Sequence, residues 1–212
     1  MKRRTLDILF SIGGLGITLL LLVAGLVLAS NVSFAKNYVG DQLGAQKITF
    51  KTVETLTPEE KQSSCLVKYA GQPLTTGKQA ECYANDFIGL HVKTSTKGLT
   101  YSELGVPQSA LRAKVAEAKK TNDPAVADLE KQLGEVTATR ETAFKGETLK
   151  GLLLTSYGFS ELGTKGGQVL TVVWMAAALM ALLSLLGLVH AFKTPKTAAF
   201  APPEPIRTEI RV

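Results

Sequence analysis

The chain has 212 residues, 45% of them apolar, and a formal net charge of +6. That apolar share is ordinary for a soluble protein, so an all-membrane bundle is excluded. Residues 31–167 hold 17 Lys/Arg against 15 Asp/Glu; the excess charge sits at the chain ends, and no basic patch with interleaved aromatics points to nucleic acid.

The first element is an apolar segment over 8–30, preceded by Lys2, Arg3 and Arg4. It is long enough to cross a hydrocarbon core of about 30 Å, which takes roughly 20 helical residues. A cleaved leader is the alternative, with Ser33-Phe34-Ala35 as a small-x-small site. Its apolar run exceeds the ~7–15 residues of a usual leader core, so an uncleaved span is expected. Gly13, Gly14 and Gly16 lie in its first half, and Gly25 and Ala29 form a small-xxx-small pair. Small residues let helix backbones approach closely in lipid, so this face is a candidate contact with the other span or with a partner.

Phe34, Tyr38, Val39 and Gln42 continue a helical spacing, with the two aromatics as interfacial anchors. Residues 47–53 then alternate with period two. With no second convincing strand to pair, they read as an extended linker. Thr57-Pro58-Glu59-Glu60 is a capping box that starts a helix, which Gly71 and Pro73 end. Thr76-Gly77-Lys78-Gln79 is a second such signature. It opens the most amphipathic stretch, with Ala80, Tyr83, Ala84, Phe87, Ile88 and His91 on one face and Gly98 as the stop. Tyr83 and Phe87 are candidate contact residues for a partner.

Cys65 falls late in the first of these helices and Cys82 early in the second. An antiparallel turn between them would bring the two close, and an oxidising compartment permits a bridge. Two buried free thiols are the alternative. Neither cysteine lies in a Cys-x-x-Cys pair, so neither redox catalysis nor zinc binding is indicated.

Val106-Pro107 is expected to break the chain before a helix over 108–120. Asn122-Asp123-Pro124 then turns into a helix over 124–145, giving a helical hairpin. Gly146 and Gly151 weaken helix continuity, although Leu149, Leu152, Leu153, Tyr157 and Phe159 are too apolar for a free loop. Gly163, Gly166 and Gly167 read as a flexible joint. The second span, 168–192, carries Ala177, Ala181, Ser184, Gly187 and Ala191 at three- or four-residue spacing. Lys193 and Lys196 follow it, and 193–212, with four prolines, reads as a disordered tail. Basic flanks mark the cytoplasmic side. Residues 1–7 and 193–212 are therefore expected in the cytoplasm of a plasma-membrane protein, with 31–167 outside.

The chemical inventory is short. His91 lies on the face of an outer helix and His190 at the far end of the second span. A bilayer of about 30 Å would separate them, so they cannot share a metal. No nucleophile elbow, phosphate loop or His-Glu-x-x-His pattern occurs, and neither span has an ionisable residue in its interior. No catalytic, cofactor or metal site is expected.

Three stretches carry a resemblance. They are 36–43 (KNYVGDQL), 69–74 (YAGQPL) leading into 83–88 (YANDFI), and 146–154 (GETLKGLLL). Together they resemble a group of two-pass membrane proteins of actinobacteria whose members are often labelled aromatic ring-opening dioxygenases. The resemblance implies the topology above. It implies no iron site, because an extradiol enzyme gathers two His and a carboxylate at one open position. Cys65 and Cys82 fall outside the matching stretches.

The fold class expected is an all-α membrane protein, two transmembrane helices joined by a helical extracytoplasmic domain. Its partners would be the lipid bilayer and a membrane protein or a second copy of the chain. The expected role is a non-catalytic accessory or scaffolding subunit of a larger membrane or cell-envelope assembly, a respiratory complex being one such. The alternative is a membrane-anchored sensor or ligand-binding protein with an extracytoplasmic pocket; a large apolar cavity lined by Phe87, Ile88 and Leu153 would favour it.

Overall fold

The computed structural model describes residues 2–196 and 198. The stretch predicted as a disordered tail lies, from 199 onward, outside the described residues. The described residues are mostly helical and contain no strand. The helices are α1 (Arg3–Ala45), α2 (Ser64–Tyr69), α3 (Gly77–Cys82), α4 (Gly89–Ser95), α5 (Tyr101–Thr121) and α6 (Val126–Lys193). A π-turn, Tyr83–Ile88, joins α3 to α4. The chain divides into two compact units, 1–33 with 164–212, and 34–163. Helices α1 and α6 contribute to both.

In the first unit α1 and α6 form an antiparallel pair. A Cβ added at Gly25 would stand 3.2 Å from the Trp174 ring, one at Gly14 would meet Ser184 Oγ, and one at Gly187 would meet Ser11 Oγ. Ser11, Thr18, Ala177, Ser184 and Ala191 are buried, and the seven-residue interval of the last three is that of a helix–helix seam. Thr18 Oγ1 donates to Gly14 O at 2.9 Å, so its hydroxyl is satisfied within its own helix. Both helices are long and apolar enough to span a membrane. Only 17% and 11% of the residues in their most apolar windows are buried, so nearly all of that apolar surface faces outward.

The second unit is built around Val39, Leu43, Phe50, Leu66, Leu74, Ala84 and Leu153. Val39 and Leu43, four residues apart on α1, share one inward face. The stretch expected to be an unpaired linker does pair. Phe50 N–H donates to Gln72 O (3.0 Å), Leu74 N–H to Ile48 O (2.8 Å) and Gly71 N–H to Lys51 O (3.1 Å). Its partner carries Pro73, which cannot donate to a ladder, and the pairing stays a single bridge at Thr49 and Pro73. Both capping boxes form. Thr57 and Glu60 exchange bonds at 2.8 and 3.2 Å, but only one 3-10 turn follows, and Ser63 recaps the chain for α2. Thr76 and Gln79 cap α3.

Two expected breaks are absent. Pro107 lies inside α5, which starts at Tyr101 under a third capping box, Thr100 with Glu103. That cap, with Leu104 and Gln108 buried, offsets the backbone bond that proline removes. Gly146, Gly151, Gly163, Gly166 and Gly167 are all helical within α6. At three of these positions glycine serves contact: a Cβ on Gly146 would run into Val92 Cγ2, one on Gly163 would touch Ala35 and Lys36, and one on Gly166 would meet Val32 Cγ2. The predicted hairpin of α5 with the start of α6 is pinned by Arg140. Its guanidinium donates to Gln108 Oε1 (2.6 Å) and Tyr101 O (3.1 Å) and lies 4.1 Å from the Tyr101 ring centroid.

A second close helix contact lies between Gly77, the first residue of α3, and α6. A Cβ there would overlap Ser160 Cβ, which cannot rotate away. Lys78 seals the same contact, donating to Tyr157 Oη (3.1 Å) and pairing with Glu81 and Glu161 (3.3 Å each). The Tyr157 hydroxyl, followed by the two carboxylates, raises the lysine above its usual range. Gly77→Ala is expected to destabilise the protein by about 1–3 kcal/mol, the usual range for overpacking. Gly151→Ala meets nothing within 4 Å and should stabilise by up to about 1 kcal/mol through helix propensity. Thermal melts of both variants check this; equal effects would show that α3 does not press on α6.

Candidate functional site

The most concentrated chemistry in the second unit is around Glu60. Its capping role turns the side chain inward, and the side chain is fully buried. Lys51 Nζ donates to both carboxylate oxygens (2.8 and 3.1 Å), Thr57 N–H to Oε2 (2.8 Å) and His91 Nε2 to Oε1 (2.8 Å). An ionised carboxylate only accepts, so His91 must carry its proton on Nε2. Burial opposes the charge, but Lys51, the Thr57 amide and His91 outweigh it and hold the carboxyl at about 2. A general base works with a pKa near the operating pH. Glu60 is therefore a staple: it ties the paired segment at 48–51 and the turn before α2 to α4.

An aromatic row backs this cluster. Phe50, Tyr83, Phe87 and His91 follow one another with ring centroids 5.3, 4.6 and 4.7 Å apart, and Lys51 Nζ stands 5.2 Å from the Phe87 centroid. Burial pushes the Tyr83 hydroxyl up, and the Glu60 charge adds to it. Tyr83 and Phe87, read from the sequence as partner contacts, are half-buried and spend much of their surface inside this row.

Cys65 and Cys82 lie at disulfide distance, with Cα atoms 6.0 Å apart. The bridge ties α2 to α3 as expected, but Cys65 is the second residue of α2 and not late in its helix, because α2 starts only at Ser64, and Cys82 is the last residue of α3. Asp86 Oδ2 approaches Cys65 Sγ at 2.7 Å. A bridged sulfur has no proton, so this is a close polar contact and not a hydrogen bond. Both sulfurs and Asp86 lie within 4.8 Å of one another, but a metal needs thiolates and the bridge leaves none. His91 and His190 belong to different units; His190 Nε2 stands 3.8 Å from Asp7 Oδ2 in the helix pair.

The small-residue candidates fall on the α1–α6 pair. Gly25, Ala177 and Ser184 are buried there, and Ala29 and Ala181 are half-buried. Of the two contacts considered, with the other span or with a partner, Gly25 and Ser184 make the first, against Trp174 and Gly14.

Two open grooves flank α6. One, of about 430 Å³, is lined by Lys51, Phe87, His91, Val92, Lys145 and Leu149 among others. The other, of about 370 Å³, includes Tyr38, Ile48, Leu149, Leu152, Leu153 and Phe159. Phe87 and Ile88 line the first and Leu153 the second, so they do not share one cavity; Leu149 belongs to both. Sequence reasoning missed Lys51 altogether and saw Glu60 only as a cap, because the partners lie 9 and 31 residues apart. No protein-family profile, no curated protein and no solved structure matches the chain.

Proposed function

We propose that this is a two-pass protein of the plasma membrane with both termini in the cytoplasm and the 34–163 unit outside. We propose further that it acts as a non-catalytic accessory or scaffolding subunit of a membrane or cell-envelope assembly. The observation that carries the membrane reading is the outward apolar surface of the helix pair. A core helix of a soluble protein buries most of its apolar windows, and these are 17% and 11% buried. A leader destined for removal needs no fixed partner, yet Ser11, Gly14 and Gly25 interlock with Gly187, Ser184 and Trp174. Basic flanks at both ends support the orientation, and the resemblance to two-pass proteins agrees with it.

The adaptor reading rests on the second unit. Its buried carboxylate, Glu60, has both oxygens engaged and serves rigidity, while Phe34, Tyr38, Leu152, Phe159 and Leu162 stay exposed. Large exposed apolar side chains on a braced framework suit a contact surface. A reporter active only in the cytoplasm should work when fused at Val212 and fail when inserted near Asn122. Native co-purification of the tagged full chain should recover a stoichiometric partner. The reverse reporter pattern would overturn the orientation, and recovery of the chain alone would remove the adaptor role. The grooves beside α6 support a second reading, a membrane-anchored ligand-binding protein, although Phe87 and Ile88 line one and Leu153 the other.

A further inference from the structure

The two grooves differ in charge. The lining of the first contains three basic side chains, Lys51, His91 and Lys145, and no carboxylate. Glu60 lies behind Lys51 and His91, fully buried with its oxygens already engaged, so it does not face a ligand. Lys145 pairs only loosely with exposed Glu141, at 3.6 Å. The lining of the second groove contains no charged side chain at all. Leu149 forms part of both walls on α6. Ile48 and Lys51, three residues apart on the paired segment, border one groove each. The α6 residues 145, 149, 152, 156 and 159 follow a three-four spacing on one helix face, so the two grooves lie in line and meet at Leu149, one with a basic rim and the other with an uncharged lining. From the Lys145 rim of the first to Phe159 at the far end of the second is about 20 Å along α6 at 1.5 Å per residue. One acyl layer spans about 15 Å, half of a bilayer core, so a single long chain fits this length.

We infer that the two grooves join past Leu149 into one trough that binds a single-chain anionic amphiphile, a long-chain fatty acid. Its carboxylate lies among Lys51, His91 and Lys145, and its tail passes Leu149 toward Tyr38 and Phe159. This rests on the ligand-binding reading and names its ligand. The rim, with three basic side chains and no carboxylate in its lining, selects a negative head. An apolar trough with one charged end fixes the direction of the ligand as well as its class.

The test uses the full-length protein in lipid nanodiscs and palmitate carrying a photoreactive diazirine at its tail end. After illumination, mass spectrometry should place the label on peptides containing Tyr38 or Phe159, and excess plain palmitate should remove it. Lys145→Glu reverses a rim charge on an exposed side chain, and Leu149→Trp blocks the passage. Each should lower labelling about tenfold, a loss expected from one well-placed contact, as should replacing the acid probe by the matching alcohol on the unaltered protein. Equal labelling by the alcohol would overturn the anionic assignment while leaving a ligand site in place. Stronger labelling by a two-chain phosphatidic acid probe would overturn the single-chain assignment. Labelling that palmitate does not compete away would remove both the site and the ligand-binding reading.

Discussion

Glu60→Gln is expected to weaken the 34–163 unit by on the order of 3 kcal/mol at neutral pH and by almost nothing near pH 2. The native carboxyl is held at about 2 against an ordinary value of 4.5, and each pKa unit corresponds to about 1.4 kcal/mol. Because the folded value is the lower one, the contribution is complete above about 4.5 and is lost as the pH falls toward 2. Glutamine keeps the shape and does not titrate. It can still accept from Thr57, but it leaves Lys51 without its counter-charge. Lys51 and His91 are 35% and 48% exposed and can turn to water, which limits the loss. Glu54 and Glu103 are also lowered, each chiefly by a backbone N–H, but both variants share them and they cancel. Urea unfolding of the two proteins across pH 2–7 measures the difference. A gap that does not close in acid would show that Glu60 is not held as a buried ion.

The second large effect concerns the bridge. Replacing Cys65 and Cys82 by serine should cost about 3 kcal/mol, the loop-closure value for a ring of this size. Non-reducing mass spectrometry of protein from native membranes should find the two cysteine peptides joined. Two alkylatable thiols would overturn the arrangement of α2 beside α3. The loss in a variant combining Glu60→Gln with the serine pair should be smaller than the sum of the two separate losses. The Glu60–His91 contact ties the turn before α2 to α4, and the bridge ties α2 to α3, so both restrain the same short helices. Residues sharing a restraint are not independent. Full additivity would mean that the short helices unfold separately.

What could be read from the sequence was local. Capping boxes at Thr57 and Thr76 are decided within four residues, and both formed. The left-handed Gly98 ended its helix as expected, with φ +81. Misreadings came where a distant neighbour decides. Gly146 looks like a weak point in a helix until Val92, far away in sequence, occupies the space its missing Cβ leaves. Pro107 looks like a break until Leu104 and Gln108 are seen buried on either side of it. The 47–53 stretch seemed unpaired because its partner, 71–74, contains a proline and carries no strand signal. The site was less legible still. His91 sits on the predicted helix face, but nothing near it in the sequence indicates that Glu60 and Lys51 converge there.

Trp174, packed on Gly25, is the chain's single tryptophan. All five tyrosines, at 38, 69, 83, 101 and 157, belong to the 34–163 unit. The molecule thus carries two native fluorophores, one kind per unit. Indole emission, excited beyond the phenol band, follows separation of the helix pair through the shift that comes with a wetter or more lipid-exposed ring. Near-ultraviolet tyrosine ellipticity follows loss of packing in the other unit. Because multi-unit chains need not unfold in one step, the two signals recorded together would separate disassembly of the helix pair from melting of the second unit, with no label added.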